Sequence, residues 1–151
     1  MTCATVMNAR PLTLRVDAPV SNAVEIFLRH PGHTLPVVDA EGRFAGLFGI
    51  HRLLGLLLPK VATLKDGLTD LRYVQDTLDD VRQRLQEIKG LTVGEYLDDP
   101  AAVLRPDTPI METLLMLYHH HDGLPVVEES SGRLLGIVSF RDVLDKIAPA
   151  G

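Results

Sequence analysis

Three residues in one short stretch have the types and spacing to do chemistry: Ser139, Arg141 and Asp142, within Gly136-Ile137-Val138-Ser139-Phe140-Arg141-Asp142. An apolar run that passes straight into a helical pattern puts a hydroxyl at the N-cap and a carboxylate at N3. That pair can close a capping box, in which Ser139 accepts from the Asp142 N–H and Asp142 accepts from the Ser139 N–H. The same arrangement suits a ligand. A helix start offers free N–H groups and the positive end of the dipole to a phosphate. The hydroxyl adds a donor, the carboxylate can accept from both hydroxyls of a ribose, and Arg141 between them can neutralise phosphate charge.

The elements that must hold these residues are written twice. At an offset of ninety positions Leu14-Arg15 returns as Leu104-Arg105, Asp17 as Asp107 and Pro19 as Pro109. After a one-residue slip Leu35-Pro36-Val37-Val38 returns as Leu124-Pro125-Val126-Val127, and the original offset resumes for Gly42-Arg43 with Gly132-Arg133 and Gly46 with Gly136. Each copy reads as an extended piece (Leu12 to Val16; Ala102 to Leu104) and a helix with Pro19 or Pro109 at N1. Two strands follow around a glycine turn, then a second helix near His51 or Phe140. The fold class is therefore α+β, with the order β-α-β-β-α repeated. One such unit alone buries little surface, so the copies are expected to pack sheet against sheet about a pseudo-two-fold axis, with a cleft between them. Residues 1–58 form the first repeat, 59–90 an inserted linker and 91–151 the second repeat.

In the linker, apolar residues from Val61 through Leu78, Val81 and Leu85 to Ile88 alternate by threes and fours with charged residues outside them. This predicts an amphipathic helix, broken near Gly67 and stopped by Gly90. It packs either on the chain's own surface or against another subunit.

Composition narrows the function classes. A length of 151 residues with 46% hydrophobic residues supports a packed core, while the net charge of −5 gives no basic footprint for nucleic acid. A single Cys3 excludes an intrachain disulfide, and a reducing compartment, the cytoplasm, fits. Met1 to Met7 has no basic n-region leading into an apolar one. Phe44 to Leu58 is too short for a membrane span and holds His51 and Arg52, so it reads as core.

The Val6-Met7 start, the Asp-x-Pro helix openings, Leu-Pro-Val-Val and above all Gly-Ile-Val-Ser-Phe-Arg-Asp-Val-Leu closely resemble CBS domains, and two in tandem resemble a Bateman module. The resemblance covers most of residues 6 to 58 and 93 to 147. It implies a regulatory, signal-transducing module that binds an adenosine-containing ligand (AMP, ATP or S-adenosylmethionine) between the repeats. Carried over residue by residue, it gives Ser139 and Asp142 the phosphate and ribose contacts. It also has Pro100, Ala101 and Ala102 line the adenine, and makes His33, just before Leu-Pro-Val-Val, a contact across the cleft. A homodimer and a separate effector protein are expected partners, and a purely structural dimerisation module is the alternative.

The first copy departs from this pattern. Its string Gly46-Leu47-Phe48-Gly49-Ile50-His51-Arg52 puts glycine in place of the hydroxyl and arginine in place of the aspartate. Arginine has only donors, so no ribose hydroxyl can donate to it, and the first site is expected to be empty or to take only an anion. No catalytic constellation is present, so no enzyme activity is expected. The carboxylate pairs Asp98-Asp99 and Glu128-Glu129 read as solvated loop charge, and His119-His120-His121 as a polar helix end. His30 brackets a turn with His33, and His51 reads as a surface helix residue. No metal site is expected.

Overall fold

Continuous apolar runs such as Leu-Pro-Val-Val make inner strands because both of their faces are covered. In the computed structural model of the chain, which describes residues 1–30, 34–58, 77–100, 102–120 and 123–148, this motif forms β2 (Thr34–Val38) and β4 (Leu124–Val127). The first repeat runs β1 (Leu14–Arg15), α1 (Val20–Arg29), β2, β3 (Phe44–Gly49) and α2 (Ile50–Leu57). After α3 (Leu78–Ile88), the second runs α4 (Ile110–His119), β4, β5 (Leu134–Val138) and α5 (Phe140–Ile147). The extended piece expected over Ala102 to Leu104 narrows to one parallel bridge, Leu104 with Val126.

Pro19 and Pro109 sit one position earlier than predicted, at the N-cap rather than N1. Both are extended, with ψ of 153° and 147°, and their carbonyls accept from Asn22 N–H and Thr113 N–H, so the first helical residues are Val20 and Ile110. In the linker, Thr77 is an N-cap with a full capping box to Asp80, so a helix begins at Leu78. Residues 61–76 of the expected linker helix lie outside the described residues. Ile88 is the last helical residue and Gly90 follows, as the stop signal predicts.

Each repeat makes a small sheet: β1 parallel to β2 and β2 antiparallel to β3 in the first, β4 antiparallel to β5 in the second. The prolines inside β2 and β4 are tolerated because of register. Pro36 faces Leu47 and Pro125 faces Ile137, and the backbone N–H and C=O of Leu47 and Ile137 point to the opposite edge, where they bind other partners. No ladder bond needs the missing proline N–H.

Those other partners reveal an exchange. Ile137 of β5 bonds reciprocally with Asn8, at 2.8 and 3.0 Å, whereas Leu47 of β3 bonds with Asp98, at 2.9 and 2.8 Å. The segment that precedes each repeat in sequence therefore completes the sheet of the other. The cores agree: Cys3 and Val6 are buried with Leu104, Leu117, Leu124 and Val138, and Ile88 and Val93 with Leu14, Val37 and Phe48. Burying each valine contributes about 2 kcal/mol. Gly136 and Gly46 permit the close approach. A Cβ on Gly136 would lie 2.5 Å from the Asn8 carbonyl oxygen, and one on Gly46 would lie 3.1 Å from the Leu97 side chain.

The bridges repeat under the sequence offset: Thr2 with Pro109 and Thr92 with Pro19, Asn8 with Ile137 and Asp98 with Leu47. Arg43 bridges Arg133, its own counterpart, with Phe44 N–H donating to Gly132 O and Leu134 N–H to Gly42 O. The pseudo-two-fold axis passes between these two hairpins. Gly42 and Gly132 turn them with φ of 80° and 76°, values that favour glycine.

Candidate functional site

Strand β5 ends at Val138, Ser139 remains extended (φ −116°, ψ 164°), and α5 begins at Phe140. Ser139 Oγ accepts from Asp142 N–H at 3.3 Å. Asp142 Oδ2 accepts from both the N–H and the hydroxyl of Ser139, each at 2.8 Å. The expected capping box is complete, and the second carboxylate oxygen, Oδ1, takes no part in it. Both side chains are half-buried, whereas Arg141 is exposed on the first turn of α5. One carboxylate oxygen fixed by the protein and one left over is a pre-oriented acceptor at the positive end of a helix.

The exchanged segment brings Met7 and Asn8 onto β5, the strand that ends at Val138 just before Ser139. Asn8 Oδ1 also accepts from Arg10 N–H at 3.0 Å, which turns the chain there. Met7 belongs to the Val6-Met7 motif, but Asn8 carries no signal of its own, although the ninety-residue offset that matches Leu14 with Leu104 also matches Asn8 with Asp98. Pro100 is half-buried two positions after Asp98, which is bonded to β3 of the first repeat, and Ala102 packs against the second core. Ala101 and His33 lie outside the described residues.

At the equivalent position of the first repeat, Gly49 caps α2 with no side-chain bond. Arg52 Nη2 pairs with Asp98 Oδ1 at 2.8 Å and reaches Leu97 O at 3.4 Å. Asp98 is thus an ion-pair partner and not the freely solvated charge expected from sequence. Arg52 Nε is buried with no hydrogen-bond partner among the described residues. His51, Arg52, Gly55, Leu56 and Asp98 line a cleft of about 310 Å³. No carboxylate stands where Asp142 stands in the second repeat.

The remaining electrostatics belong to turns. Asp39 is held below the ordinary carboxylate range by the Arg43 backbone N–H and then by its guanidinium. Glu128, its counterpart, is lowered by the Ser131 and Ser130 hydroxyls. Burial pushes the Cys3 thiol up, and its Sγ donates to Arg105 O at 2.9 Å. Among the described residues no cluster of histidine, cysteine and carboxylate side chains could hold a metal ion.

Comparison with known proteins gives a consistent set of matches. The family model described as CBS domain matches residues 3–59 and again residues 93–149. A CBS domain-containing protein of Dictyostelium discoideum is 26% identical over 140 residues, which are 92% of this chain and 86% of that protein. The crystal structure of the CBS-pair protein CBSX2 from Arabidopsis thaliana superposes with a TM-score of 0.73 at 21% identity, covering 96% of this chain and 92% of that one. CBSX2 in complex with AMP gives a TM-score of 0.68 at 21% identity, covering 96% and 94%. A CBS domain-containing protein of Kribbella flavida gives 0.73 at 19% identity, covering 99% of both chains.

Proposed function

The chain belongs to the CBS domain family, with two such domains in tandem, and on that premise we propose that it is a regulatory module that binds an adenosine-containing ligand at the second repeat. AMP, ATP and S-adenosylmethionine are the candidates. The carrying observation is the Ser139–Asp142 pair at the start of α5, with its unused carboxylate oxygen. A ribose would donate its hydroxyls to Asp142, a phosphate would lie against the α5 N–H groups and Ser139, and Arg141 would balance the charge. That a similar fold, CBSX2, has been crystallised with AMP supports the ligand class. The first repeat, with Arg52 in the acceptor position, takes no nucleoside, so one ligand binds per chain. Because a ligand shifts a conformational equilibrium only through unequal affinity for its states, its output is a change in how the two repeats engage an effector protein.

Calorimetric titration with AMP, ATP and S-adenosylmethionine tests this. One of them binds with a stoichiometry of one; no heat with any of the three overturns the reading.

A second reading, a structural assembly module, is favoured by the same capping box, because Ser139 and Asp142 already satisfy one another. It also draws on apolar side chains left on the helix faces, such as Leu28, Tyr118 and Ile147, which are 82%, 75% and 67% exposed. Both readings include a homodimer, since pairing is the usual way to cover such a face, and both suit the cytoplasm. Light scattering at micromolar concentration gives the mass of two chains; a strict monomer excludes the dimer. No described helix is long and apolar enough to cross a membrane.

A further inference from the structure

We propose that Arg52 and Asp98 form an internal strap that does permanently for the first pocket what a ligand does for the second: it ties the exchanged segment to the helix that starts at the end of the edge strand. This rests on the proposed function only for the place of the ligand. The observations are a matched inversion. In the second repeat the helix carries the carboxylate, Asp142, and the exchanged segment carries neutral Asn8. In the first repeat the helix carries the cation, Arg52, and the exchanged segment carries the carboxylate, Asp98. An ion pair between helix and exchanged segment is therefore available at the first repeat and not at the second.

The Arg52 Nη2 group makes contacts on that segment, to Asp98 Oδ1 and the Leu97 carbonyl, while Nε is buried with no hydrogen-bond partner among the described residues. This geometry favours the hold on residues 97 and 98 over local satisfaction of the guanidinium. What is held is specific. Leu97 sits over Gly46, where a Cβ would come within 3.1 Å of it, and the Asp98 backbone closes both hydrogen bonds to Leu47. Opening the strap would free the edge of β3 and the wall of the first cleft together.

The experiment is amide hydrogen exchange at Leu47 and Asp98 in the full chain, without ligand, for Arg52→Gln, Asp98→Asn and the double variant. Asp98→Asn is isosteric and Arg52→Gln keeps the side-chain stem to Cδ at a half-exposed position, so the fold is retained. A partly exposed ion pair of this kind is worth up to about a five-fold change in the local opening equilibrium. Each single variant is expected to exchange about five-fold faster than the parent, and the double variant no faster than either single, since both singles break one interaction. Additive effects, or unchanged rates in the singles, overturn the strap.

A second arm titrates inorganic phosphate and AMP into an Asp142→Asn background, where the second pocket has lost its ribose acceptor but keeps the α5 N–H groups and Ser139. Any heat is expected to be the same with and without Arg52→Gln. Heat that is lost on adding Arg52→Gln would make Arg52 an anion receptor and overturn its role as a strap. Failure of AMP to bind the parent chain would strike the sensor reading alone, because the exchange arm contains no ligand.

Discussion

The two repeats share a backbone frame and differ at one helix start. Every bridge that ties the exchanged segments to their hosts has its counterpart at the same sequence offset, and the glycines that admit them, Gly46 and Gly136, correspond as well. At the end of the edge strand the likeness stops: Ser139 and Asp142 close a capping box, whereas Gly49 caps nothing and Arg52 reaches across to Asp98. Backbone hydrogen bonds are indifferent to side-chain identity. A duplicated frame can therefore be kept bond for bond while its two polar corners take opposite charge, and the chemistry of a pocket is set by two or three side chains.

The largest effect that would break this contrast is at Asp142. Asp142→Ala removes a charged acceptor worth about 3 kcal/mol to a ribose, so AMP affinity measured by calorimetry should fall about 100-fold or more. The lost half of the capping box costs only about 1 kcal/mol of stability. A variant that melts far lower yet binds AMP normally would reduce Asp142 to a cap and remove the functional difference between the repeats.

Next in size is the approach of the exchanged segments. In Gly136→Ala the new methyl meets the Asn8 carbonyl oxygen at 2.5 Å, a backbone atom that must shift, and the cost should be about 3 kcal/mol in denaturant melts. Gly46→Ala meets Leu97 at 3.1 Å and adds a φ of 158°, for a smaller loss of about 1 kcal/mol. Equal losses would show that backbone strain at Gly46 costs as much as the closer approach at Gly136.

The helix starts themselves sharpen the comparison further. Ser139→Ala should destabilise by about 1 kcal/mol, while the converse Gly49→Ser should gain only a few tenths, because glycine is already an acceptable N-cap. Thermal melts of the two variants should therefore shift in opposite directions.

The smallest effect is in the hairpins. Asp39 and Glu128 both titrate below the ordinary carboxylate value, from different donors. A carboxyl lowered in the folded state stabilises the fold above its unfolded value, about 4, and loses that contribution as pH falls through the folded value. NMR titration should place both below free aspartate and glutamate. Ser131→Ala should move Glu128 upward and leave Asp39 in place.

What could be read in the sequence was local. The strands follow from continuous apolar runs, and Ser139 and Asp142 from the spacing of a capping box, because the partners are three residues apart. The proline N-caps were misplaced by one residue because sequence does not show which carbonyl takes the first helical bond. The exchange was hidden for a deeper reason: nothing in Met7-Asn8 or Leu97-Asp98 says which sheet edge they will join. Extended back from Leu14 and Leu104, the same offset pairs these two segments, but it does not name their hosts. The Arg52 contact with Leu97 spans 45 positions, so Asp98 looked like ordinary loop charge.

Exchange also sets an order on biosynthesis. Cys3 and Val6 leave the ribosome before the residues that receive them, Leu104, Leu124 and Val138, and the Cys3 hydrogen bond to Arg105 closes over 102 positions. The first repeat in turn waits for Val93 to emerge before its core is complete. Neither half can mature on its own while translation is under way. Until the second repeat has been made, the segment around Cys3 and Val6 stays apolar and unseated, a state that invites chaperone attention, and the two halves lock together only once α5 has emerged.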